Sequence, residues 1–146
     1  MNVGMIFGII FALILIGFLM VYGIKTITQL FGFAGEASFE KNVRDFQTAV
    51  NDVYQLSMGS TQKFHFRITS DIERICFINR ADKSIWGDDP IMSELVSEGN
   101  NLIVSGKKIK AYKINHMLPS TNFCIEEAGD VLLVNKGRWV DVRMME

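Results

Sequence analysis

Apolar residues follow three successive regimes along this chain. From Val3 to Tyr22, VGMIFGIIFALILIGFLMVY, they form a nearly continuous run of twenty residues without a charge, and the first charged side chain is Lys25. From Phe39 to Val53 they recur at Phe39, Val43, Phe46, Val50 and Val53, at spacings of four, three, four and three. Beyond Gly59 the period falls to two, as in KFHFRIT, where Phe64, Phe66 and Ile68 alternate with Lys63, His65 and Arg67.

The first regime predicts a membrane-spanning helix. At about 1.5 Å rise per residue, such a run crosses the roughly 30 Å hydrocarbon core of a bilayer. A cleaved signal peptide presents a basic n-region, an apolar stretch of about 7 to 15 residues and a small-x-small cleavage site. Here no Lys or Arg precedes the run, and the only small-residue stretch, Ala34 to Ala37, lies far downstream. The expectation is a retained anchor over residues 1–30. Ile24, Ile27, Leu30, Phe31 and Phe33 carry its apolar character further. Gly32, Ala34 and Gly35 then predict a hinge or partly melted turn over residues 31–37, since Gly disfavours a helix interior.

The second regime predicts an amphipathic helix from an N-cap at Ser38 to about Leu56, stopped by Gly59 in a left-handed conformation. Glu40, Lys41, Arg44, Asp45, Gln47, Asn51 and Asp52 occupy its polar face. A helix packing on a sheet is preferred to a coiled coil, because just over two heptads are present and a coiled coil needs three or four.

The third regime predicts strands. IERICFI (Ile72 to Ile78) follows KFHFRIT closely enough to pair with it. Asp89-Pro90 opens a short helix through Val96, with Asp as N-cap and Pro at the first position. NLIVS, KIKAYKI, NFCIEE, DVLLV and RWVDVRM follow, separated by turn signals at Ser105-Gly106, Ala128-Gly129 and Lys136-Gly137. The fold class is therefore α+β: a transmembrane helix, an amphipathic helix, then an antiparallel sheet domain over residues 38–146, either a meander or a small sandwich.

Composition adjusts this picture little. Of 146 residues, about 110 remain once the anchor is set aside, enough for one domain. With 15 basic and 16 acidic residues mixed along the chain, no basic stripe points to nucleic acid.

Three groups of residues bear on function. Gly4, Gly8 and Ala12 stand four residues apart on one face of the anchor, a small-xxx-small pattern that lets membrane helices approach closely; Gly is also simply common in membrane helices. Cys76 and Cys124 both fall in predicted strands. If their apolar neighbours face the core, both point to the solvent side and a disulfide between them is expected in an oxidising compartment; the alternative is two unrelated buried thiols, since free Cys behaves as a small hydrophobe. Asp82, Asp88 and Asp89 match no Ca²⁺ loop spacing and read as an acidic turn capping the Pro90 helix. His65 and His116 are solitary, and no catalytic, cofactor-binding or metal-ligating pattern occurs. An enzyme is not expected, nor any cofactor.

Orientation has two opposed signals. Lys25, Lys41 and Arg44 after the anchor favour a cytoplasmic domain by the positive-inside rule. A disulfide favours an oxidising compartment, and the reading leans outward on the architecture.

The order of apolar helix, Gly-softened junction, amphipathic helix and antiparallel sheet resembles the type IV pilin and pseudopilin superfamily. It is also similar to small uncharacterised membrane-anchored archaeal proteins in the segments FEKNVRDFQTAVN, ERICFIN and NFCIEE with LLVNKGRWVDV. The likeness implies a structural role and assembly through the N-terminal helix, and it transfers no functional residue. Met1-Asn2-Val3-Gly4 supplies the Gly of a prepilin-peptidase signal without its basic residue, so that processing is not expected. The function expected is a single-pass, pilin-like structural or interaction protein, with membrane lipid and either its own copies or a larger membrane protein as partners. The alternative is an accessory subunit of a membrane complex with the sheet domain as its binding module.

Overall fold

A computed structural model describes residues 2–145, and the side chains of all of these but 28–34. The chain divides into two compact units, Met1–Ser38 and Phe39–Glu146. One helix, α1 (Val3–Gln55), supplies the first unit and opens the second. It is followed by β1 (Thr61–Phe66), β2 (Ile72–Phe77), α2 (Pro90–Ser97), β3 (Leu102–Gly106), β4 (Lys110–Tyr112), β5 (Phe123–Ile125), β6 (Gly129–Asn135) and β7 (Val140–Met144).

The continuity of α1 corrects one expectation. Residues 31–37 are helical in backbone, not a melted turn, and Ser38 lies inside the helix instead of capping a second one. A Gly within a helix costs about 1 kcal/mol relative to Ala. Starting a new helix costs more, because nucleation fixes several dihedrals for one hydrogen bond. The apolar continuation read at Leu30, Phe31 and Phe33 lies outside the described side chains.

In the second unit, the stripe read from the sequence is the buried face of α1. Phe39, Val43, Phe46, Val50 and Val53 are all buried, together with Ala49. Phe46 is fully enclosed, with its ring centroid 5.1 Å from Phe64, 4.7 Å from Phe66 and 5.9 Å from Phe77. Offset and edge-on ring pairs of this kind add about 0.5–1.5 kcal/mol each to simple burial. The opposite face of the helix contributes no side chain to the core.

Two antiparallel sheets pack in this unit, in the orders β1-β6-β7 and β4-β3-β2-β5. β1 and β2 do not pair, contrary to the expectation from their closeness in sequence. β1 instead pairs with β6 over its whole length, setting Phe64 opposite Val131 and His65 opposite Asp130. β2 lies between β3 and β5. The distant pairing completes a sheet whose buried side carries Phe66, Val131, Leu133 and Val142, so shared burial outweighs local proximity.

The four-stranded sheet is covered on both faces. Ile75, Phe77, Leu102, Val104 and Ile125 join the main core with α1. The alternate residues Cys76, Ile78 and Ile103 join a second cluster with Trp86, Met92 and Val96 from α2 and the segment before it. The face expected to carry Cys76 in solvent is thus a second, smaller core. The uninterrupted apolar runs ICFI and LIV reflect burial on both sides.

Short α2 begins as read. Asp89 accepts hydrogen bonds from Ile91 N at 2.9 Å and Met92 N at 3.2 Å, with Pro90 at the first helical position. Each bond satisfies a backbone donor that the helix itself leaves open.

Candidate interaction site

In the first unit, Val3–Ile27 forms a helix long and apolar enough to cross a membrane, with mean hydropathy 2.8 and none of it buried. Gly4 and Gly8 face open space, for a Cβ built on either meets no atom within 4 Å. Ala12 completes their face one further turn along. Gly17 is open in the same way. At about 100° per residue it points to the side of the helix opposite Gly8. Ile14, Phe18, Val21, Tyr22 and Lys25 surround it as a shallow groove. Phe18 and Tyr22 stack there at 5.6 Å. The Thr26 hydroxyl donates to Tyr22 O at 2.9 Å, so its polar group is satisfied within the helix. The second small-residue notch, at Gly17, stands outside the i, i+4 series through Gly4 and was not read from the sequence.

In the second unit, Cys76 and Cys124 are joined. They face each other in register across β2 and β5, with S–S 2.05 Å and Cα atoms 4.0 Å apart. Cys76 is buried and Cys124 half-buried. β5 has only three residues, and the bond fixes this short edge strand to the sheet. The loop it closes, 48 residues in sequence separation, corresponds to about 4 kcal/mol in the chain-entropy account.

Three buried polar side chains hold the connections in place, and none announced itself in the sequence pattern. Asn135 donates from Nδ2 to Val53 O, Tyr54 O and Leu56 O at 2.8, 3.1 and 2.8 Å, and accepts from Gly137 N at 2.6 Å. It therefore closes the C-terminus of α1 and shapes the β6–β7 turn, where Gly137 has φ +88°. Asn101 holds the segment after β4 by donating to Ile114 O and Met117 O and accepting from Ile114 N. Asp141 accepts from Ser120 N, the Ser120 hydroxyl and Arg143 Nε, each at 2.7 Å. Burial pushes its pKa up, but the bonds from Ser120 and Arg143 outweigh that and hold the carboxyl below its ordinary value of 3.8.

Several other charged groups sit in small surface pairs. Glu40 accepts from the Tyr112 hydroxyl at 2.7 Å and from Lys110 Nζ at 3.1 Å. Burial acts to raise its pKa, yet these two bonds and the lysine charge leave it below the ordinary 4.5. His65 Nδ1 lies 2.7 Å from Asp130 Oδ1 on an exposed face, with Lys63 Nζ 3.5 Å from the other carboxylate oxygen. Hydrogen bonding from His65 is the chief reason Asp130 is held below its ordinary pKa. His116 stacks on Tyr54 at 3.9 Å. Asp82 accepts from Ser84 N and Asp89 caps α2, which gives both acids turn-forming roles. Among the described residues, no group of three or more His, Cys, Asp or Glu side chains is placed to hold a metal ion.

Comparison with protein families, with curated proteins and with solved structures finds no match. The architecture of a long apolar helix leading into an antiparallel sheet domain is consistent with a pilin-like arrangement, and the disulfide suggests an extracytoplasmic domain.

Proposed function

We propose that this chain is a single-pass membrane-anchored structural or interaction protein, pilin-like in architecture, that assembles through its N-terminal helix and carries its sheet domain outside the cytoplasm. The observation that supports the anchor best is the Val3–Ile27 segment, uncharged up to Lys25, with mean hydropathy 2.8 and none of it buried. In water, exposing that much apolar surface would be strongly unfavourable, at about 25 cal/mol per Å². A lipid environment removes the penalty. A cleaved signal is also an apolar segment near the N-terminus, but its apolar stretch is about 7 to 15 residues and it would leave the chain at the membrane only transiently.

Assembly through the helix is supported by the open face of Gly4, Gly8 and Ala12. Lipid provides little hydrophobic drive between helices, so association depends on close backbone approach. Gly8→Ile places a branched side chain at the centre of that face and should weaken helix association. Membrane insertion should persist, because Ile is more favourable in lipid than Gly. Ile10→Leu, about 160° around the helix from Gly8 at 100° per residue, is the control. Cross-linking in membranes should separate the two variants, and equal assembly would remove the small-residue face from the proposal.

A further inference from the structure

The sheet domain carries two exposed surfaces of opposite charge, each with an apolar centre. The first lies where α1 ends. Leu56 is 53 % exposed and Met58 77 %, and the β6–β7 turn lies against them, since a Cβ at Gly137 would come within 3.3 Å of Met58 Sδ. That turn, closed by a hydrogen bond from Lys136 N to Trp139 O, adds Lys136, Arg138 and the partly exposed Trp139. The second surface is the outer side of α2. Met92 and Val96 turn inward to the second core. Ile91, Glu94 and Glu98 fall on the opposite side, within about 60° of one another at 100° per residue, and all three are exposed. Asp88 stands exposed just before the helix.

Each surface has charge of the other sign at its margin. Asp52 lies a turn before Leu56, and at the end of α2 Arg80 donates to Val96 O and Ser97 O, with the Lys113 stem beside it at Gly99. The balance stays positive at the first surface and negative at the second. Among the described residues, neither Lys136 nor Arg138 forms an ion pair with an acid of this chain, and Asp88, Glu94 and Glu98 form none with its bases.

We infer that the basic, aromatic surface at Met58 and Trp139 of one copy docks on the acidic outer face of α2 of another copy. Met, Trp and Arg are residue types enriched at protein interfaces, and a charged rim around an apolar centre is their usual setting. Ile91, at 55 % exposure between carboxylates, supplies the complementary partner. A single such contact is heterologous and leaves one free surface at each end, so it propagates head to tail into a ring or a filament unless the two surfaces pair reciprocally about a two-fold axis. The contact lies wholly within the sheet domain and goes beyond the helix-driven assembly proposed above.

The test uses the full chain in membranes, with a photo-reactive residue in place of Met58 and a mixture of isotopically labelled and unlabelled copies. Irradiation should join position 58 of one copy to the α2 peptide of another. K136E/R138E alone sets acid against acid, and E94K/E98K alone sets base against base. Each should lower the adduct at least about tenfold, since like charges across an interface cost several kcal/mol. Mixing the two variants restores opposite charges at both junctions and should restore the adduct. Circular dichroism and an intact Cys76–Cys124 bond qualify each variant as folded, with K136Q/R138Q substituting for one that is not. No adduct between copies, an adduct elsewhere in the chain, or failure of the mixture to recover would overturn the contact. So would adducts formed only with anionic phospholipid, which would make the Met58 surface a lipid contact. Because Gly8 is unaltered throughout, loss of this contact is distinguishable from loss of helix association.

Discussion

The two ends of α1 share a secondary structure and differ in everything that surrounds it. From Val3 to Ile27 the helix is apolar on all sides, and none of it is buried. From Phe39 to Val53 it is apolar on one stripe alone, and every residue of that stripe is buried. The backbone is α-helical in both. What differs is the angular spread of the apolar residues, which sets whether a helix seeks lipid on every side or a sheet on one. A single element can thus pass from all-round apolar to one-sided when its sequence changes pattern partway along.

Deleting one large side chain from each end should break the symmetry most visibly. Phe46→Ala empties a fully enclosed site against three aromatic rings and should destabilise the sheet domain by about 5 kcal/mol, the upper end for such truncations. Phe11→Ala, in the apolar segment, should leave denaturant unfolding of that domain unchanged. Equal effects would mean the two ends are not independently stabilised.

Removing the disulfide probes the sheet against which the second end packs. Cys76→Ala with Cys124→Ala should lower domain stability by about 4 kcal/mol, measured by chemical unfolding under non-reducing conditions. Near-zero loss would mean that β5 is held by its apolar contacts alone.

A smaller effect sharpens the contrast at the helix terminus. Asn135→Ala leaves the carbonyls of Val53, Tyr54 and Leu56 without their side-chain donor and should cost about 2 kcal/mol. Hydrogen exchange should show the last turn of α1 opening more readily, while amides near Phe46 change only with global stability.

Much of this architecture was legible because periodicity reports burial directly. The continuous run, the 4-3-4-3 stripe and the alternating strands each placed an element of the right type, and Asp89-Pro90 marked the start of α2. What stayed hidden depended on distant chain segments. β1 pairs with β6, 65 residues away at His65 and Asp130, and nothing local in KFHFRIT specifies that partner. The second core arose because α2 folds back over the Cys76 face, so residues in the outward phase of a strand were nevertheless enclosed. Asn135, Asn101 and Asp141 look like ordinary loop polar residues in sequence. Their value comes from backbone groups brought to them by the fold. The glycines at 32 and 35 suggested an interruption that helix cooperativity overrides.

The central claim is that the apolar half of α1 stays with a disulfide-bonded sheet domain as its membrane anchor. Intact-mass measurement of the protein extracted from membranes, with thiol exchange blocked, tests both parts together. The account predicts a chain that retains Val3–Ile27 and lacks the two cysteine thiol hydrogens. A mass missing the first thirty or so residues would contradict the anchor, and a mass with both thiols intact would remove the chemical reason for placing the domain outside.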